Sequence, residues 1–205
     1  ISTVPGSDSF QIKDQVMNRS AYEQEFQIIY HANYGAPLLE HGAQLFVPTK
    51  KITPMNEHAA KAVESYATYS GPMPGFIEEV FLIEPIVDKD GNTLVLLKNA
   101  AGNRGASIRW TKAQLPYFTQ WKNTASREDG YVTGLEPGTG FPFNRRIERQ
   151  FGRVPKLSPG QSREFILEFG IHNGLAAVKQ VEEHIKKIQG DQQIERAKQS
   201  PKFED

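Results

Sequence analysis

Four short segments hold residue types able to move a proton or grip a polyol. The first, Tyr30-His31-Ala32-Asn33-Tyr34-Gly35, ends an alternating run. His31 falls on the face opposite Phe26 and Ile28. It is either a hydrogen-bonded interior residue or an acid/base facing a cleft, since imidazole suits proton transfer near neutral pH. The second, Gly134-Leu135-Glu136-Pro137-Gly138-Thr139-Gly140, sets a carboxylate at a strand end ahead of a Pro/Gly-rich loop. Glu136 is then either a solvated turn residue or a catalytic group held on a rigid scaffold. These glycines make no phosphate cradle, because the Lys and the following helix of such loops are missing.

The third segment, Phe76-Ile77-Glu78-Glu79-Val80-Phe81, points adjacent carboxylates to opposite faces of a strand. In a packed sheet one of them faces inward, which costs free energy unless it is hydrogen-bonded or wet; an edge strand removes the difficulty. The fourth, Pro116-Tyr117-Phe118-Thr119-Gln120-Trp121-Lys122, mixes flat rings with amide and ammonium donors. Such a mixture covers the apolar face of a pyranose while meeting its hydroxyls, although a Trp also serves an ordinary core. Other patterns carry less. Asp88-x-Asp90-Gly91-Asn92 reads as a hairpin turn rather than a calcium loop, because Gly91 falls too early and no closing Glu follows. Asn18-Arg19-Ser20 is a glycosylation sequon without meaning outside secretion. No HxH, HExxH or carboxylate cluster points to a metal, no GxSxG marks a nucleophile, and no cofactor is expected.

The elements that must position these groups are mostly strands. Pro and Gly are spread through the first 160 residues and cut the chain into short pieces, an all-β rhythm. Alternation predicts strands over 9–17, with Phe10, Ile12 and Val16 on one face, and over 24–31. Further strands are expected at 44–47, 76–87, 93–98, 105–112, 116–122 and 131–136, with 76–87 and 93–98 joined as a hairpin. Residues 162–171 alternate most cleanly, setting Phe165, Leu167, Phe169 and Ile171 opposite Glu164 and Glu168. Short helices fit 57–66 and 144–150, the latter capped by Asn144. Over 175–189, Leu175, Val178, Val181, Ile185 and Ile188 recur at helical spacing between Gly174 and Gly190. This division yields a β-sandwich over 1–173, a helix over 174–190 and a polar, fraying tail over 191–205.

Composition narrows the function classes. The 205 residues carry 24 Lys+Arg against 24 Asp+Glu and no Cys, so no basic field exists to hold nucleic acid or an anionic membrane, and thiol chemistry is excluded. No window reaches the ~18 apolar residues of a membrane span. The chain opens on Ile1 rather than Met, with no signal peptide behind it, so a missing front is expected.

The segments YHANYGAPLLEHGA (30–43), GFIEEVFLIE (75–84), FTQWK (118–122), YVTGLEPGTG (131–140) and LSPGQSREFILEFGI (157–171) together resemble the galactose-mutarotase-like superfamily. Within it they are most similar to the aldose 1-epimerase-like DUF4432 family. The likeness covers about 10–173 and implies the C-terminal portion of a large antiparallel β-supersandwich whose cleft binds a free sugar. By this resemblance His31, followed by Asn33 and Tyr34, stands where a general acid addresses the ring oxygen. Glu136 stands where a general base takes the anomeric proton, the two working from opposite sides of the pyranose. Glu78 takes the place of a sugar-contacting Asp. Asn33, Tyr34, Gln120, Trp121 and Lys122 complete the implied sugar site. The family's substrate-clamping Arg and a second site His belong to a front half that this chain lacks. The implied function is a mutarotase-like sugar isomerase, or the carbohydrate-binding C-terminal part of one, in the cytoplasm. A non-catalytic carbohydrate-binding or regulatory protein of the same fold is the alternative, and a structural sandwich domain docking through 175–189 is a third class. Its expected associations are a homo-oligomer or the missing N-terminal part.

Overall fold

Strands numbered in chain order build two six-stranded sheets in the computed structural model, which describes residues 1–203. The first sheet runs β1 (Ser2–Thr3), β2 (Ser9–Met17), β13 (Ser162–Asn173), β9 (Arg104–Thr111), β8 (Asn92–Lys98) and β5 (Gln44–Phe46). The second runs β14 (Glu195–Arg196), β6 (Thr49–Pro54), β7 (Glu79–Pro85), β10 (Tyr117–Asn123), β11 (Val132–Gly138) and β4 (Ala32–Tyr34). A small ribbon pairs β3 (Gln24–Glu25) with β12 (Lys156–Leu157). Every pairing is antiparallel except β14 on β6.

Period-two alternation decides which side chains enter the space between the sheets. From the first sheet come Ile108, Trp110, Phe165 and Leu167; from the second come Ile52, Phe81, Ile83, Phe118 and Leu135, all almost free of solvent. The opposite face of the second sheet is thereby left for chemistry. On the opposite face of the first sheet lies α3 (Leu175–Gln189), which follows α1 (Glu57–Ala60) and α2 (Arg145–Gln150) in the chain and buries Val178 and Ile185 against Leu94 and Leu96. Val181 and Ile188 are half-buried there, whereas Leu175, in the helix's first turn, stays 66% exposed and drops out of the expected stripe. Lys98 pairs with Glu182 at 2.6 Å and Gln189 bonds the backbone of Thr49, fixing the helix lengthwise. No helix among the described residues is long and apolar enough to cross a membrane.

Three expectations are corrected. The 76–87 and 93–98 strands form no hairpin: β7 pairs with β6 and β10, and β8 with β5 and β9 in the other sheet. The Asp88 turn instead carries the chain across the sandwich, with Asp88 Oδ1 accepting from the amides of Asp90 and Asn92. Residues 26–31 keep the expected alternation, with Phe26, Ile28 and Tyr30 against the core, but are not continuous strand. Their partner contains Pro137, which has no N–H to donate; it accepts from the Tyr30 amide, and the Ile28 amide turns to the Thr139 hydroxyl. Nor does the tail fray among its described residues, 191–203; residues 204–205 of the expected tail lie outside them. Ile194 reaches the core, β14 adds to β6, and Glu195 pairs with Lys51 at 2.6 Å.

Candidate functional site

On the outer face of the second sheet, β10, β11 and the segment leading into β4 run side by side. The register sets Thr119 opposite Glu136, and Trp121 opposite Gly134, which in turn faces Asn33. Since Gly134 pairs with Asn33 and Gly138 bridges to Ile29, His31 comes directly across from Glu136. Its Nε2 stands 3.0 Å from Glu136 Oε1. The approach is close but off the hydrogen-bond direction, so Oε1 is a buried acceptor with no hydrogen-bond partner. The carboxyl is 4% exposed and the imidazole 49%, so one member of the pair is rooted in protein while the other meets solvent.

Glycines make this approach possible. Gly134 and Gly138 lie two residues either side of Glu136, on the same face of β11. A Cβ on Gly134 would collide with Glu136 Oε1 and stand 3.0 Å from His31 Cε1; one on Gly138 would stand 3.0 Å from Ile29 Cγ1 and 2.9 Å from the Gly140 carbonyl. The floor beside the carboxyl is therefore bare backbone. Burial pushes Glu136 up from 4.5 to about 7, and the nearby His31 charge opposes that rise. A carboxyl there neither holds nor refuses a proton strongly near neutral pH.

Trp121 adds the next wall. Its ring meets the His31 imidazole edge-on with centroids 5.6 Å apart, and its indole N–H donates to Glu78 Oε2 at 2.7 Å. His31, Glu78, Trp121 and Glu136, scattered in sequence, thus share one cleft of about 370 Å³. Thr119 joins their polar side, and Ile29, Met55, Val80 and Pro142 give it aliphatic walls. Pro142 is held from behind: the buried Glu148 on α2 (Arg145–Gln150) accepts from the Phe141 amide at 3.0 Å. Arg153 grips Glu148 with two bonds, of 2.8 and 2.6 Å, while its guanidinium lies 4.2 Å from the Phe151 ring centre. The helix starts as expected, with Asn144 Oδ1 accepting from the Ile147 amide.

Other expected site residues lie elsewhere. Because Trp121 faces the cleft, its neighbours Gln120 and Lys122 face the interior. Gln120 donates to the Tyr66 carbonyl and the Tyr69 hydroxyl, both at 2.9 Å. Lys122 donates to the Thr68 carbonyl at 3.0 Å and pairs with Glu79 at 3.3 Å. Tyr34 also turns toward the core, and its burial raises the phenol to about 12. Asn33 shares the outer face with His31 but is exposed beside Gly134, outside the cleft lining. Nor do His31 and Glu136 stand apart to flank a pyranose from two sides: Glu136 on β11 directly neighbours His31 in the segment leading into β4. Thr119, Met55, Ile29, Pro142 and the Glu148–Arg153 pair were not foreseen. The Gly-x-Glu-x-Gly spacing around Glu136 was the legible signal of a bare floor.

Comparison with known proteins gives this geometry a context. The family model described as "Domain of unknown function (DUF4432)" matches residues 1–171. The chain belongs to the DUF4432 family. Among solved structures, a candidate aldose 1-epimerase from Klebsiella pneumoniae subsp. pneumoniae MGH 78578 superposes with a TM-score of 0.96 at 42% identity, covering 99% of this chain and 53% of its own. This DUF4432 chain therefore spans about half the length of that relative. A galactose mutarotase related enzyme from Lactobacillus acidophilus matches with a TM-score of 0.57 at 12% identity, over 82% of this chain and 58% of its own. A galactose mutarotase-like protein from Clostridium acetobutylicum gives 0.54 at 16%, over 80% and 52%. These two likenesses establish the shared fold. No curated protein matches the chain.

Proposed function

We propose that this DUF4432 protein binds an aldose in the Glu136 cleft and interconverts its anomers, as the mutarotase-like fold suggests. The observation that carries the reading is the His31–Glu136 contact at 3.0 Å inside a cleft of monosaccharide size. The anomeric hydroxyl oxygen and the ring oxygen are bonded to one carbon, so an acid and a base side by side can address both. Glu136 takes the proton of the anomeric hydroxyl as its C1–O bond gains double-bond character. The C1–ring oxygen bond breaks, and His31 delivers a proton to the departing ring oxygen. The open-chain aldehyde turns about the C1–C2 bond. Closure on the other face returns one proton to His31 and the other from Glu136 to the new hydroxyl, restoring both groups. No redox change occurs and no atom is left over. A carboxyl titrating at about 7 suits this reversibility, because it neither holds nor refuses the proton strongly near neutral pH. The Trp121 ring offers a surface for the C–H face of the pyranose and the Glu78 carboxylate accepts from hydroxyls. Two-dimensional exchange NMR of equilibrated hexoses and pentoses, with and without the protein, tests the reading. Enzyme-dependent α/β cross-peaks are expected; binding without exchange would leave a carbohydrate-binding protein instead.

A further inference from the structure

The burial of Glu136 needs a cover that its own strand does not provide. Gly134 and Gly138, its neighbours on the same face of β11, have no side chains, and the residue opposite it on β10 is the small Thr119. Yet the carboxyl is only 4% exposed. Part of the cover comes from the chain just beyond the strand. At Gly138–Gly140 it turns back over the outer face of the sheet, the Thr139 amide donating to the Ile28 carbonyl at 2.9 Å. It then lays Phe141 on Val80, Leu82 and Tyr117, with the Phe141 and Tyr117 ring centres 4.8 Å apart, and sets Pro142 in the cleft lining with Glu136.

This fold-back is held by a side chain. The Phe141 amide donates to Glu148 Oε2, and the same oxygen accepts from Arg153 Nε at 2.8 Å while Oε1 accepts from Nη2 at 2.6 Å. Glu148 is wholly buried. Its carboxylate comes so near the turn because residue 140 is glycine: a Cβ there would collide with Glu148 Oε2 and stand 3.2 Å from the Arg153 carbonyl. A buried ion pair adds little net stability over apolar residues of similar size. What it supplies that they would not is direction, a fixed acceptor for one particular amide.

We propose that Glu148 and Arg153 are positioning residues for the Glu136 base: their ion pair holds Phe141–Pro142 folded over the cleft and keeps water from the carboxyl. Its bearing on turnover rests on the anomer-exchange reading; its bearing on the carboxyl does not. The ionisable groups facing Glu136 are His31 directly across from it and Glu78, tied to the Trp121 N–H, while Thr119 and Pro142 carry no charge and the Glu148–Arg153 pair lies behind the wall.

The test removes the brace without changing net charge. Glu148→Met/Arg153→Met deletes both charges together and should fold, since buried pairs tolerate apolar replacement as a unit. Gly140→Ala displaces the Glu148 carboxylate and leaves both charges in place. Carbon-13 NMR of the glutamate carboxyls, with the Glu136 signal identified by its loss in Glu136→Gln, follows the titration directly. The wild-type midpoint is expected at about 7. In both brace variants, water reaching the carboxyl should lower its proton affinity about tenfold or more. Val178→Ala, which loosens α3 on the other sheet, should cost stability and leave the midpoint in place. Anomer exchange on the same samples should fall about tenfold or more in the brace variants, kcat moving further than sugar affinity. An unmoved midpoint in either folded brace variant, or an equal movement in Val178→Ala, overturns the proposal, as does a lowered midpoint with wild-type exchange rates. A lowered midpoint in a protein that exchanges no sugar leaves the brace standing and defeats the isomerase reading alone.

Discussion

Replacing Glu136 with Gln should trade turnover for stability, and the size of both effects follows from where the carboxyl sits. The amide keeps the shape but cannot accept the anomeric proton, so exchange should fall about 10²–10⁴-fold with sugar affinity little changed. Stability should move the other way. The folded protein raises this carboxyl from 4.5 to about 7, so it holds the proton more tightly than the unfolded chain does. Ionising it in place costs nothing below about pH 4.5, and the cost grows as pH rises toward 7 and is complete above it. The full difference corresponds to about 3 kcal/mol, or roughly 6–12 °C in Tm for a chain of this length. Gln carries no such penalty. Thermal denaturation of wild type and variant at pH 4 and pH 8 should therefore give similar midpoints at pH 4 and a more stable variant at pH 8. A difference independent of pH would refute the burial argument, and wild-type exchange rates in the variant would refute the base.

Gly134→Ala tests the floor. The backbone there is ordinary extended strand, so the methyl is tolerated by the fold and only displaces the Glu136–His31 pair; exchange should drop at least about tenfold with Tm held or raised slightly, and an unchanged rate would show the pair needs no bare floor. Trp121→Ala removes a stacking surface and frees Glu78, so the dissociation constant for sugar should rise about tenfold while kcat moves less, as titration and exchange NMR together would show. Deleting the chain from Leu175 onward uncovers Leu94 and Leu96; with two side chains losing full burial, about 3–6 kcal/mol should be lost, and an unchanged chemical-denaturation midpoint would deny α3 its structural role.

Much of the scaffold was legible because its signals are local. The β13 alternation and the stripe of α3 are periodicities of one segment, and Asn144 caps its helix through a bond three residues long. What failed needed distant partners. The Asp88 turn has a hairpin's chemistry, yet nothing within it states which sheet receives the next strand. Gln120 and Lys122 were grouped with Trp121 by composition, although parity along a strand already separates them. Their burial becomes affordable only through Tyr66, Thr68, Tyr69 and Glu79, which lie far away in the chain. His31 and Glu136 were readable as polar residues on strands with apolar opposite faces. Their direct contact depends on the β4–β11 register, which no single segment encodes.

The placement of β4 has a dynamic consequence. It is the last strand of its sheet and only three residues long, with β11 on one side alone. Outermost strands open most readily, and their amides exchange with solvent sooner than those of interior strands. The imidazole is thus hung from an outer margin of the sheet, while Glu136 is set in the second strand, paired on both sides. Fraying at Ala32–Tyr34 would lift the acid away from a stationary base. A sugar held between them would act as a clasp on that margin, coupling occupancy of the cleft to the persistence of the outermost strand.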